Sequence, residues 1–264
     1  MKAFSRFFIF LSFLLLYIPI IILIIFSFNE SGSLAEFSGF SFEWYKELFN
    51  DAEALTALRN SLVLAVLSSV IATVIGTFGA LGLYRMKSKY VKGSVTAVTN
   101  IPMMNPDIVT GVSMMLLFVA VAGIISSKSF FGFGTMLIAH VTFSLPYVLL
   151  SVMPRFRQLD KSLSEAAQDL GANPWQVFWK VQVPLSMPGV VSGIMMVFMP
   201  TVSTFAISEF LTNNKIKLFG TIIQENINSS MWNYGAALSL VMLVIIGITS
   251  LLQDNKKEES GAIV

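Results

Sequence analysis

Few residues in this 264-residue chain can carry chemistry. It has a single histidine, His140, and no cysteine, which excludes disulfides, thiolate metal sites, cysteine nucleophiles and any multi-histidine metal centre within the chain. No G-x-x-x-x-G-K-[ST] phosphate loop, glycine-rich dinucleotide fingerprint or catalytic triad can be assembled from it. No enzyme active site is therefore expected. What remains is a small set of polar groups set into apolar sequence. Asp107 follows Asn105 and Pro106 inside one hydrophobic stretch; Ser203, Thr204 and Ser208 lead to Glu209 at the end of another; His140 sits early in a third. An ionisable group in such a stretch is costly and is a functional suspect by default. The chemistry a carboxylate suits there is pairing with an ammonium group. Pro102 and Pro106 bracket Asp107 and free backbone carbonyls that can face a cavity. Asp107 can instead be a helix N-terminal charge favoured by the macrodipole. Glu209 reads either as a guard at the outer mouth of a polar path or as an interfacial acid in water. For His140, a structural histidine bonding a neighbouring carbonyl is favoured over a ligand for substrate.

The elements that must position these groups follow from composition. Hydrophobic residues make up 55% and charged residues 12%, with mean hydropathy +0.75. A disordered protein, a nucleic-acid-binding domain and an ordinary cytosolic enzyme are excluded, because no soluble fold hides this much apolar surface. The solvent is lipid. A net charge of +2 argues for no partner. Crossing a bilayer core takes about 20 apolar residues, in helices because every backbone N–H and C=O must be satisfied internally. Six stretches qualify, at about 7–28, 61–83, 95–125, 133–153, 185–208 and 234–252. The first is longer than the roughly 7–15-residue apolar core of a signal peptide, so a retained helix is expected.

Basic residues set the expected orientation. With a cytoplasmic N-terminus, 12 of the 17 Lys and Arg fall inside and five outside (Lys46, Arg59, Lys128, Lys215 and Lys217), so both termini are expected in the cytoplasm. The first outer loop, 29–60, carries Glu30, Glu36, Glu43, Glu47, Asp51 and Glu53. It reads as a solvated loop, with a cation-concentrating mouth as the alternative. Trp232 and Tyr234 read as an interface belt rather than an ammonium cage. Gly189 and Gly193 form a G-x-x-x-G that permits close helix contact, within the chain or with a partner.

The cytoplasmic loop 154–183 is too patterned for a tether. Ser162 with Glu165 suits a capping box. Leu163, Ala166, Ala167 and Leu170 share one helical face, and Gly171 supplies a left-handed C′ residue. Asn173 and Pro174 then begin a second helix as N-cap and N1, with Trp175, Phe178 and Trp179 on one face, before Pro184 opens the fifth span. This L-shaped pair can dock as a knob in a partner's groove or lie on the membrane as an amphipathic pair.

Glu165-Ala166-Ala167, then three residues, Gly171, nine residues and Val181-Gln182-Val183-Pro184 resembles the EAA motif of ABC importer permeases with the MetI-like fold. The resemblance implies an all-α integral membrane permease of six transmembrane helices. It implies that Glu165, Ala166, Ala167, Asp169, Leu170, Gly171 and Pro184 belong to a coupling segment that docks on an ATPase. Leu16-Tyr17-Ile18-Pro19-Ile20, Phe26-Ser27-Phe28-Asn29, the 103–109 segment around Asp107 and Ala166-Ala167-Gln168-Asp169-Leu170-Gly171-Ala172 are similar to spermidine/putrescine permeases. One of the two permease subunits of that group typically carries paired aspartates in the fifth span. Here Ser203-Thr204-Phe205 stands instead, and 199–209 resembles the sister subunit.

The partners implied are an ABC ATPase dimer, which would bind the ATP and magnesium, a second homologous permease subunit, an extracytoplasmic polyamine-binding protein and the bilayer, with no nucleic acid. No cofactor is expected in this chain. The substrate path would draw on Asp107, Asn105, Ser203, Thr204, Ser208 and Glu209 in an alternating-access cycle. An ion-gradient-driven secondary transporter is the competing class; its internal repeats and paired discontinuous spans find no clear counterpart here.

Overall fold

The computed structural model describes residues 2–32, 36–125, 131–212 and 215–261, without the side chains of 2, 3, 5, 125 and 252–261. Lys128 and the side chains of Lys2, Lys256 and Lys257, all used in the charge count above, lie outside the described residues. The described chain is helical nearly throughout: α1 Lys2–Ser27, α2 Glu43–Asn50, α3 Ala52–Arg85, α4 Lys89–Met104, α5 Asp107–Ile125, α6 Phe133–Gln158, α7 Lys161–Asp169, α8 Pro174–Val177, a π-helical segment Phe178–Gln182, α9 Val183–Ser203, α10 Ala206–Thr212, α11 Phe219–Asn228 and α12 Trp232–Gly261. Six helical stretches are long and apolar enough to cross a membrane. They are α1, α3, α5, α6, the run from Pro174 through α9, and α12. α1 is apolar over most of its length and packs mainly along α12, with Ser27 Oγ at its end 2.8 Å from the Tyr45 hydroxyl of α2; most of its described large apolar side chains are exposed, to lipid or another chain.

The core is the three-way packing of α3, α6 and α9. Ala72, Ala80, Val148, Val152, Phe156 and Val197 fill one part of it, and Leu48, Ala57, Val202, Phe219 and Leu238 fill another where α2, α11 and α12 join. The Gly189/Gly193 pair works within the chain. A Cβ on Gly189 would stand 2.7 Å from Arg155 Cγ and 3.0 Å from the Ser151 carbonyl oxygen. Ser151 Oγ donates to the Gly189 carbonyl at 2.6 Å, pinning α6 to α9. Gly189→Val should therefore force this seam apart and destabilise the protein by roughly 1–3 kcal/mol, the usual cost of overpacking. Thermal melting of the detergent-solubilised protein checks it, with a lowered midpoint expected.

Several boundaries differ from those expected, each for a local reason. α3 starts at Ala52 rather than near 61 because Asp51 caps it, accepting from the Glu53 and Ala54 N–H groups at 2.8 and 3.1 Å. Burial works against the Asp51 charge, but hydrogen bonds from Ala54 N–H, the Tyr234 hydroxyl and Glu53 N–H outweigh it and hold the carboxyl below its ordinary value. The cap's stabilisation is thus complete at neutral pH, where the carboxyl is ionised in both states, and is lost as pH falls through the depressed value. Asp51→Ala should cost about 1 kcal/mol at pH 7, and melting curves should show the difference from the parent shrinking in acid. Tyr234, expected at the membrane interface, is buried in the core with its hydroxyl 2.8 Å from Asp51 Oδ2.

The third expected span is broken in two. Asn105 takes extended geometry (φ −93°, ψ 142°), as a residue before proline prefers, and Pro106 has no N–H with which to continue α4. The fifth stops at Ser203, because Thr204 is extended (ψ 145°), and resumes as the short α10.

The loop pair also departs in detail. Asp160, not Ser162, caps α7, accepting from Ser162 N–H at 2.9 Å; aspartate is as good a cap as serine, and its charge also suits the helix N-terminus. The C-terminus forms as the pattern implied: Gly171 has φ +87°, its N–H meets the Gln168 carbonyl at 2.8 Å, and Ala172 N–H meets the Ala167 carbonyl at 3.0 Å. Asn173 caps α8 reciprocally with Gln176, and Pro174 is the first helical residue. α8 is not a separate helix, however. It runs through the π-helical segment into α9, a wider turn that relieves the clash a Pro184 ring makes with the carbonyl four residues back.

Candidate functional site

Two places in this architecture collect the polar residues. The first is a cavity of about 120 Å³ between α5, α6 and α9, lined by Asp107, His140, Ser144, Tyr147, Thr201 and Thr204 among others. α6 supplies one wall: His140, Ser144 and Tyr147 are spaced i, i+4 and i+7, which is one helical face. At 1.5 Å per residue, His140 lies about 10 Å and Tyr147 about 21 Å along a helix of about 39 Å, so this wall runs from about a quarter of the way along α6 to just past its midpoint. α9 supplies Thr201, whose hydroxyl bonds the Val197 carbonyl at 2.8 Å, and Thr204 stands at the break that follows. Asp107 is the first residue of α5, exposed in the isolated chain and facing this cavity. It is thus a helix N-terminal charge whose residue also lines the cavity beside His140 and Tyr147.

The other path candidates part company. Asn105 is exposed at the α4–α5 break and does not line the cavity. Ser203 is exposed, with its hydroxyl on the Met199 and Pro200 carbonyls. Ser208 is buried in α10, bonding the Phe205 carbonyl at 2.7 Å and the Thr221 hydroxyl at 2.9 Å, so it joins α10 to α11. Glu209 is exposed on α10, away from the cavity lining. Ser144, Tyr147 and Thr201 were missed in the sequence, although the stripe beginning at His140 was there to be read. In the acidic loop, Asp51 is engaged as a cap and Glu53 pairs with Lys217 at 2.8 Å, beside the Lys217–Glu225 pair at 2.6 Å.

The second place is the basic end of the bundle: Arg85 ends α3, Arg155 and Arg157 lie in the last turn of α6, Lys161 begins α7 and Lys180 follows α8. α7 carries Glu165, Ala166, Ala167 and Asp169, followed by Leu170 as C-cap and then Gly171. Leu170 is 89% exposed and Trp175 is 62% exposed, an apolar projection that water alone does not favour. Behind it, Phe178 is buried, stacking near Phe78 of α3 at 5.4 Å and Trp175 at 5.9 Å. Gln182 is an unexpected participant. Its Oε1 accepts from Arg85 at 3.3 Å and its Nε2 donates to Ser164 Oγ at 3.4 Å, linking α7 to the end of α3. Pro184 is the second residue of α9, directly beyond.

Comparison with known proteins places this geometry. The family described as "Binding-protein-dependent transport system inner membrane component" matches residues 72–255. The chain belongs to that family. This permease is 32% identical over 242 residues to the putrescine transport system permease protein PotI of Escherichia coli (strain K12), covering 92% of this chain and 86% of that one. It is 34% identical over 253 residues to the spermidine/putrescine transport system permease protein PotC of the same strain, covering 94% and 93%. With PotC of Haemophilus influenzae (strain ATCC 51907 / DSM 11121 / KW20 / Rd) it shares 35% identity over 246 residues, covering 91% and 93%. Among solved structures, a chain of a bacterial alginate ABC transporter, crystallised with an alginate pentasaccharide-bound periplasmic protein, superposes with TM-score 0.78 at 16% identity, over 96% of this permease and 93% of that chain. The MetNI methionine ABC transporter in an inward-facing conformation gives TM-score 0.60 at 19% identity over 77% and 94%. The protein is a multi-pass membrane permease with the MetI-like fold, a transport component and not an enzyme.

Proposed function

We propose that this permease moves a polyamine of the spermidine/putrescine type into the cytoplasm as one membrane-spanning half of an ATP-driven importer. The observation that carries this is the similarity to polyamine permeases along more than nine-tenths of the chain, at 32–35% identity. The cavity chemistry agrees with it: a carboxylate, hydroxyls around it and apolar walls between suit an alkyl chain bearing ammonium groups. An extracytoplasmic polyamine-binding protein delivers the substrate. A second homologous permease completes the pathway along the open side of the cavity where Asp107 is exposed. An ATPase dimer holds ATP and magnesium and receives α7, with Leu170 and Trp175 as the exposed apolar contacts. The basic end of the bundle then faces the cytoplasm with both termini, in keeping with the positive-inside rule. Substrate entering from the opposite end would pass Glu209 and the α9–α10 break, and reach Asp107 when the bundle reorients.

The test begins with the chain tagged in native membranes and purified mildly. Recovery of a P-loop ATPase, a second permease and a solute-binding protein is expected. The recovered complex in liposomes should then take up labelled spermidine or putrescine only with ATP. Uptake of a sugar or an anion without polyamine competition would refute the substrate assignment. Uptake that persists without an ATPase would return the secondary-transporter class.

A further inference from the structure

His140 carries an unused acceptor. Its Nδ1 stands 2.8 Å from the Met136 carbonyl oxygen. A carbonyl only accepts, so Nδ1 holds the hydrogen, and in the neutral ring Nε2 is left as a lone-pair acceptor. Nε2 has no hydrogen-bond partner among the described residues, although the residue is only 2% exposed. A buried polar atom without a partner is the exception in native structures and calls for an explanation. His140 is one of the residues that line the cavity also holding Asp107 and Thr204. Met136, the residue that orients the ring, is itself fully buried, so the imidazole is held in place before any ligand arrives.

We propose that His140 Nε2 is a substrate ligand: it accepts a hydrogen bond from a nitrogen of the transported amine while Asp107 supplies the opposite charge. The two groups stand on different elements, α6 and α5, and ask different things of a ligand. Asp107 selects positive charge. Nε2 selects an N–H donor. Together they favour a protonated primary or secondary amine over a quaternary ammonium ion, which has the charge but no hydrogen to give. They equally disfavour an anion, which meets a carboxylate, and a neutral sugar, which leaves that carboxylate unpaired. The step is non-covalent, and the pairing lasts only while the cavity is occupied.

This inference rests on the polyamine reading above, and one experiment separates the two. The complete importer, with its ATPase, second permease and binding protein, is reconstituted in liposomes with parent, His140→Leu or His140→Gln chain. Uptake of labelled spermidine and putrescine is measured per ATP hydrolysed, alongside the yield of assembled complex. Polyamine uptake by the parent tests the substrate reading alone. Given that uptake, His140→Leu should lower it about tenfold at matched complex yield, the scale of one lost hydrogen bond to a charged group. His140→Gln, whose amide oxygen reaches a similar position, should recover a large part of it. Parent-like uptake in His140→Leu overturns the proposal. So does a loss in His140→Gln equal to that in His140→Leu, because the defect would then follow ring packing and not the acceptor.

Discussion

Gly171→Asp is expected to lower ATP-dependent uptake by at least about tenfold while leaving the assembled complex in the membrane. Gly171 has φ +87°, where an L-residue costs roughly 1–2 kcal/mol. A Cβ there would meet nothing within 4 Å, so the effect is not a clash spreading through the core. It falls on two bonds, Gly171 N–H to the Gln168 carbonyl and Ala172 N–H to the Ala167 carbonyl, which close the end of α7. An aspartate also places negative charge at a helix C-terminus, where the macrodipole opposes it. The exposed Leu170 would be re-aimed, and with it the contact proposed for the ATPase. Gly171→Asn should be milder, because asparagine brings no negative charge to the helix C-terminus. Uptake and ATP hydrolysis measured together decide the matter. Hydrolysis that continues while uptake fails is the expected signature, and intact coupling in Gly171→Asp would remove α7 from the ATPase contact.

Asp107→Asn should be equally severe in transport and nearly silent in stability. Asparagine keeps the size and hydrogen-bonding capacity of the side chain and removes only its charge. At the first turn of α5 that charge contributes about 0.3–1 kcal/mol through the helix dipole, so the melting temperature should move little. In the cavity, the same charge is the proposed counter-ion for an ammonium, worth about 1.5–3 kcal/mol as a charge-assisted bond. Polyamine uptake should therefore fall at least about tenfold. Asp107→Glu, which keeps the charge on a longer arm, should fall less. If Asp107→Asn shifts melting and leaves uptake untouched, Asp107 serves only as the start of α5.

The spans were legible because lipid imposes a simple rule, length and apolarity, which six stretches satisfy. The ends of α7 and α8 were legible because their signals are local: a left-handed glycine at 171, an Asn-Pro pair at 173 and 174. The helix breaks were not. Proline does not announce whether it stops a helix: Pro102, Pro146, Pro154, Pro188 and Pro200 all lie inside helices, whereas Pro106 follows a residue that has left helical geometry. Thr204 and Ser208, close in sequence, part for the same reason: the helix breaks at Thr204, which lines the cavity, while Ser208 in α10 bonds the Thr221 hydroxyl. The cavity needs three helices to meet, and no single stretch records that meeting. Gln182 was quoted within a motif, yet its tie to Arg85 spans 97 positions and has no sequence signature.

The π-helical segment has a mechanical meaning. Because Phe178–Gln182 joins α8 to α9 without a loop, Pro174–Ser203 is one continuous helical arm of 30 residues. At 1.5 Å per residue it is about 45 Å long. A tilt of about 5° at the end beside α7 sweeps the far end by about 4 Å, more than a hydrogen-bond length. That far end carries Thr201 and adjoins Thr204. The arm is thus a lever: a displacement too small to break the packing around Phe178 is magnified, across the whole thickness of the protein, into the making or breaking of a contact in the cavity.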